Sequence, residues 1–170
     1  MNFKNPKILF IAFAALASCG CTVKYSLSGA SIPPNAKTVS IAYFPNNAAM
    51  VAPILSSTLT DALQDKFSRQ TRLTLVPEGG DLNFEGEIIN YVAVPTSVGA
   101  DEHALMNRLT ITVRVRFTNA LDPQYNYNKT FSQFQDYSAN QLLQSIEGQL
   151  IPEIVDMLVE DIFNAAVSNW

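Results

Sequence analysis

Leu109-Thr110-Ile111-Thr112-Val113-Arg114-Val115-Arg116-Phe117 puts an apolar side chain at every odd position and a polar one at every even position. A period of two marks a β-strand with one face in a core and the other toward solvent. Leu109, Ile111, Val113, Val115 and Phe117 form the inward set. Thr110, Thr112, Arg114 and Arg116 form the outward set. The stretch therefore calls for a sheet that is covered on one side only.

Working outward, Asn119-Ala120-Leu121-Asp122-Pro123 has the composition of a turn, and Tyr125 to Phe134 reads as the returning partner strand. Upstream, Pro95 to Met106 is a loop, and Leu82 to Val94 is a long strand. Its alternation slips at Ile88-Ile89, the mark of a bulge or of a strand buried on both faces. Arg72 to Val76 is a short strand closed by Pro77-Glu78-Gly79-Gly80-Asp81. Thr38 to Phe44 is the first strand, with Val39, Ile41 and Tyr43 alternating against Thr38, Ser40 and Ala42.

Two segments follow helical spacing instead. Val51, Leu55, Leu59, Ala62, Leu63, Lys66 and Phe67 share one face of a helix that starts near Pro53, since proline is tolerated in a first turn. Residues 140–167 form a second helix. Leu143, Ile146, Leu150, Ile154, Leu158, Ile162 and Ala166 face inward, and Gln149, Glu153, Asp156, Glu160 and Asn164 form a polar stripe. Pro152 would remove the bond to the Gly148 carbonyl and kink it. The order strand, helix, strands, helix predicts an α/β (α+β) two-layer sandwich, with two helices packed on one face of a four-stranded mixed or antiparallel sheet.

The N-terminus is of another kind. Lys4 and Lys7 precede an apolar run from Ile8 to Leu16, and Leu16-Ala17-Ser18 leads into Cys19. A positive region, a short apolar region and a small-residue site form a secretory leader. The run is too short for a membrane span, which needs about 20 residues. Leu-Ala-Ser-Cys resembles a bacterial lipobox, which would make Cys19 the acylated first residue. Cys21 is the weaker candidate, because Ser18 would then stand where an aliphatic residue is wanted. The expected organisation is a leader over 1–18, a lipidated N-terminus and tether over 19–37, and a single α/β domain over 38–170. Thr22 to Lys37 reaches about 50–60 Å when fully extended, which favours work close to a membrane.

Composition narrows the function. The chain of 170 residues has a net charge of −4 and becomes more acidic once Lys4 and Lys7 leave with the leader. An acidic chain with no basic run argues against nucleic-acid binding. With 48% hydrophobic and 15% charged residues it can bury a full core. Two cysteines and one histidine cannot build a structural zinc site, and no cofactor is expected.

No catalytic residues are expected. There is no Gly-x-Ser-x-Gly, no His-Glu-x-x-His and no phosphate-binding glycine loop. His103 follows Asp101 and Glu102 in a loop, and three adjacent residues rarely converge on one atom. Glu85 and Glu87 would project side by side from one strand rather than flank a bond. The binding candidates are Arg114 and Arg116 with Arg108 just before them and Lys129 on the partner strand, a set suited to phosphate or carboxylate groups. The competing reading pairs these cations with Glu85 and Glu87 across strands. The helix over 140–167 carries acidic residues and no lysine or arginine, so it is unsuited to lie on an anionic membrane.

The chain as a whole resembles the lipopolysaccharide-assembly lipoprotein family (LptE). The residues that carry the likeness are Tyr25-Ser26-Leu27-Ser28-Gly29, Ile32-Pro33-Pro34 with Lys37-Thr38, Phe44-Pro45-Asn46-Asn47, Arg108-Leu109-Thr110-Ile111-Thr112-Val113, Asp161-Ile162-Phe163-Asn164 and Asn169-Trp170. The resemblance implies two helices against a four-stranded sheet. It also implies a non-enzymatic outer-membrane lipoprotein that plugs a large β-barrel translocon, helps it assemble and contacts lipopolysaccharide. It implies residence on the periplasmic side of the outer membrane. None of the family's glycolipid-binding residues maps onto this sequence, so Arg108, Arg114, Arg116 and Lys129 stand on their chemistry alone. The rival expectation is a periplasmic lipoprotein that activates or docks a cell-wall synthase.

Overall fold

The fold comes from a computed structural model that describes residues 32–96 and 105–167. The leader, Cys19, Cys21, most of the tether, the loop with Asp101, Glu102 and His103, and Asn169-Trp170 lie outside the described residues. The elements are β1 (Thr38–Ile41), α1 (Leu55–Gln70), β2 (Thr74–Val76), β3 (Leu82–Thr96), β4 (Met106–Asn119), a single 3-10 turn over Pro123–Tyr125, β5 (Tyr127–Ser138) and α2 (Leu143–Val167).

The sheet has the order β2-β1-β3-β4-β5. It holds five strands where four were expected. β1 runs parallel to both β2 and β3, while β3, β4 and β5 form an antiparallel meander. The short strand read over 72–76 is β2, a three-residue edge whose register couples Thr38 to Thr74 and Ser40 to Val76. The chain leaves β2 through Pro77–Asp81 and re-enters the sheet on the far side of β1. Gly80 makes this crossing possible: a Cβ there would lie 2.6 Å from the Ser40 nitrogen and 2.8 Å from the Val39 carbonyl carbon. In β3 the register shifts between Ile88 and Asn90, where the hydrophobic phase slips in the sequence. That extra residue keeps Ile88 and Tyr91 both buried.

Both helices cover the same face. α1 packs on β1 and β2, α2 packs on β4 and β5, and the helices touch one another. Leu55, Leu59, Leu63 and Phe67, at steps of four, are fully buried. Val51 precedes the helix and is exposed, so it does not belong to that stripe. α2 begins at Leu143 rather than Asn140 and is continuous through Pro152. Pro152 is exposed, and open space surrounds Gly148. A row of rings ties the layers together: Phe163–Phe67 5.0 Å, Phe67–Phe84 4.8 Å, Phe84–Phe117 4.8 Å and Phe117–Tyr127 5.1 Å between centroids.

Asp81 closes the entry to the sheet. One carboxylate oxygen accepts from the Lys37 and Thr38 backbone N–H groups at 2.8 and 3.0 Å and from the Thr38 hydroxyl at 3.0 Å. The Lys37 N–H first, then the Thr38 hydroxyl and N–H, hold its pKa below the ordinary 3.8. Asp136 and Glu160 are also lowered, by hydrogen bonds from Arg108 and Lys66. A carboxylate depressed on folding adds stability above its unfolded pKa and loses it as pH falls through the folded value. The melting temperature should therefore hold from about pH 7 to about pH 5 and fall below about pH 4. Asp81→Asn should remove part of that acid dependence. Thermal melts of both chains across this range check it, and parallel acid slopes would refute the role given to Asp81.

Candidate functional site: the uncovered sheet face

Among the described residues no helix covers the second sheet face, and register places its side chains in rows. Arg116 sits between Glu85 and Asn128, and Arg114 between Glu87 and Thr130. Thr112 sits between Asn90 and Ser132, Thr110 between Val92 and Phe134, and Arg108 between Val94 and Asp136. Alternation in β4 puts all of them on one face because its odd-numbered neighbours fill the core.

Each arginine already has a carboxylate partner. Arg116 Nη2 lies 2.8 Å from Glu85 Oε2, and Arg114 Nη1 lies 2.8 Å from Glu87 Oε1. Arg108 binds Asp136 through two bonds, Nε to Oδ1 at 2.7 Å and Nη2 to Oδ2 at 2.9 Å. Its guanidinium carbon also lies 3.7 Å from the Phe134 ring centroid. The Asp136 hydrogen bond raises the pKa of Arg108, and Arg108 in turn lowers that of Asp136. Cross-strand pairing, the competing reading of the sequence, is what the arginines do. Glu85 and Glu87 are held as ion-pair partners and do not face one another across a gap.

Lys129 is on the partner strand but not on this face. It pairs in register with buried Val115, so it projects to the helix side, where its Nζ lies 5.1 Å from the Tyr127 ring. On that side of β5 two polar residues stand between Phe131 and Tyr137: Gln133 Nε2 donates to Asp161 Oδ2 at 2.6 Å and Gln135 Nε2 to Glu153 Oε2 at 3.1 Å. These bonds clamp α2 to the edge strand. The four cations therefore form a set of three on the open face and one behind it.

The sequence reading missed Asp136 and Phe134, which hold Arg108 from both sides. Their signal was available, since they alternate in step with Ser132 on the partner strand. Exposed apolar groups gather toward the end of the sheet remote from the tether: Val94, Phe134, Leu105 and Leu142. Among the described residues no group of three or more histidine, cysteine or carboxylate side chains could hold a metal. No described helix is long and apolar enough to cross a membrane.

The lipopolysaccharide-assembly family model LptE matches residues 36–166, from just before β1 to the end of α2. The chain belongs to the LptE family. The match includes Arg108, Arg114, Arg116 and Lys129 and excludes Cys19. None of the curated proteins matches the sequence. Among solved structures, this LptE-family chain is similar to a minor lipoprotein from Acinetobacter baumannii, with 13% identity and a TM-score of 0.50, covering 76% of this chain and 91% of that one. It is also similar to a hypothetical protein from Chlamydia trachomatis, with 10% identity and a TM-score of 0.52, covering 79% and 99%. A protein from Xanthomonas campestris gives 7% identity, a TM-score of 0.50, and coverage of 81% and 90%. At such identities the likeness is one of fold alone.

Proposed function

We propose that this chain is a non-enzymatic lipoprotein of the outer membrane, anchored on the periplasmic side through acylated Cys19. In this reading it occupies the lumen of a large β-barrel lipopolysaccharide translocon, supports the assembly of that barrel and meets lipopolysaccharide in passing. The observation that carries the reading is the uncovered face. It presents hydroxyls, amides and internally neutralised ion pairs, with Val94 and Phe134 partly exposed among them. Outer-membrane barrels have polar interiors, and such a face can lie against one without leaving a net charge buried.

Contact of Arg108, Arg114 or Arg116 with a glycolipid phosphate proceeds by exchange, the phosphate replacing a carboxylate. Exposed ion pairs contribute only about 0–1 kcal/mol, and arginine holds phosphate in two-point contact, so exchange is allowed. Lys129 needs no exchange but reaches only a ligand on the helix side.

The test is a pull-down of the tagged chain from detergent-solubilised outer membrane, with the captured protein identified and bound lipopolysaccharide quantified. A stoichiometric large β-barrel is expected. Capture of a cell-wall synthase in its place would overturn the reading in favour of an activator. In the same preparation, Arg114→Glu with Arg116→Glu should lower bound lipopolysaccharide by about tenfold. Unchanged lipopolysaccharide on an intact fold would remove the open face as its site.

A further inference from the structure

Eight lysine and arginine residues lie in the described part of the chain, and their partners separate them sharply. Lys66, Arg69, Arg108, Arg114 and Arg116 each form an ion pair, and Lys129 sits over Tyr127. Lys37 and Arg72 have neither kind of partner. They come from opposite sides of α1 in sequence, yet both line one groove of about 780 Å³ between the segment 32–37 and the turn that leads from α1 into β2. Arg69 lines the same groove, with its charge shared with Asp65.

We propose that this groove is where the domain rests on the anionic phospholipid surface of the membrane that holds its anchor, with Lys37 and Arg72 meeting the headgroup phosphates. The proposal rests on acylation of Cys19. Two observations select this occupant. The first is charge: in an acidic chain, two of the three described cations without an ion pair are exposed and line the same groove, with the Asp81 charge near enough to act on Lys37. Asp81 beside Lys37 is engaged by the Lys37 N–H and by the Thr38 N–H and hydroxyl, and Asp65 by Arg69. The second is chain geometry. Ile32, Pro33 and Pro34 form one wall of the groove, and the chain running back from Ile32 to Cys19 spans at most about 45 Å. The groove is thus the part of the domain closest along the chain to the anchor.

A cation near an anionic leaflet gains about fivefold in population, so two give about 25-fold. That would not hold a free protein. For a chain already tethered, the contact is intramolecular, and such a bias sets orientation. It would turn the far ends of β3 and β5, with Leu105 and Leu142, away from the leaflet.

The test uses the full chain isolated from membranes, mixed with vesicles and treated with an amine-reactive reagent, with labelling of each lysine read by mass spectrometry. In phosphatidylcholine vesicles with about one-third phosphatidylglycerol, Lys37 should label about fivefold more slowly than in pure phosphatidylcholine vesicles. Lys129 should label equally in both, and half-molar salt should erase the difference. Arg72→Glu should also erase it. Equal rates for Lys37 in the two vesicle types would overturn the proposal. So would protection of Lys37 by millimolar inorganic phosphate without vesicles, which would make the groove an ion pocket. Flotation with phosphatidylcholine vesicles reports the anchor separately. A chain that fails to float there lacks acylation and overturns the anchored reading on which the proposal rests, whereas a chain that floats while Lys37 stays unprotected in anionic vesicles overturns the groove alone.

Discussion

Gly86→Ala is expected to destabilise the domain by about 2–3 kcal/mol, and Gly86→Val by more. Gly86 stands in the middle of β3, opposite Val115, at a position where alternation asks for a core side chain. A Cβ there would lie 2.3 Å from the Arg114 carbonyl oxygen and 2.4 Å from Phe44 Cε1. The first atom belongs to the β3–β4 ladder. The second belongs to a fully buried ring that lies across the strand. Neither can withdraw cheaply, because one is backbone and the other is packed at interior density. The melting temperature should fall by about 5–10 °C for alanine. Gly86→Ala with Phe44→Leu should recover less than either clash alone suggests, since it also leaves a void where the ring stood. Gly148→Ala is the matched control. Nothing lies within 4 Å of its added carbon, and alanine in a helix interior should stabilise by about 0.4–1 kcal/mol. Urea titrations of the variants decide it: a Gly86→Ala midpoint indistinguishable from that of the parent chain would contradict the packing described for β3.

Phe67→Ala should have the largest effect of a single truncation, about 3–5 kcal/mol. The ring is fully buried in the last turn of α1 and touches both Phe84 of β3 and Phe163 of α2. Its contacts join α1, the sheet and α2 at one point. Its removal would lose burial and also open a cavity that three separate elements would have to close. Lys66, one position earlier, bonds Glu160 across the two helices, with the carboxylate half exposed. Lys66→Ala should cost less than about 1 kcal/mol. The same urea titration ranks the two, and a Lys66→Ala loss equal to that of Phe67→Ala would mean that charge, not ring packing, holds the helices together. Capture of the proposed β-barrel partner should fall with Phe67→Ala in proportion to the unfolded fraction, because the ring is fully buried.

Both effects are large for the reason the site effects are modest. The interior is close-packed, and a change of one carbon is felt there. The open face carries its charges as exposed pairs that solvent can replace. In the proposed reading, what that face does depends on shape and neutrality more than on any one cation.

Much of this arrangement was legible in the chain itself. Alternation from Leu109 to Phe117 determined the central strand, which of its faces is buried and which four side chains stay outside. The slip at Ile88-Ile89 located the bulge, and the spacing in α2 separated its buried side from Gln149, Asp156 and Glu160. These are local properties, because a side chain's direction follows from the backbone period over a few residues. Tertiary structure alone decided the rest. The short strand read over 72–76 is there, but too few residues remain in β2 for a period to show its partner, and its place at the sheet edge, parallel to β1, comes from their pairing. Lys129 lies behind the sheet because the β4–β5 register sets Lys129 against Val115. A shift of one residue would have turned it to the arginine side. Gln133 and Gln135 face inward against their polarity because Asp161 and Glu153 of α2 meet them there. Lys37 and Arg72 share a groove because parallel pairing brings the start of β1 beside the start of β2. Local pattern sets which way a residue points. What it meets depends on which distant segment closes against it, and that is settled only when the whole core is buried at once.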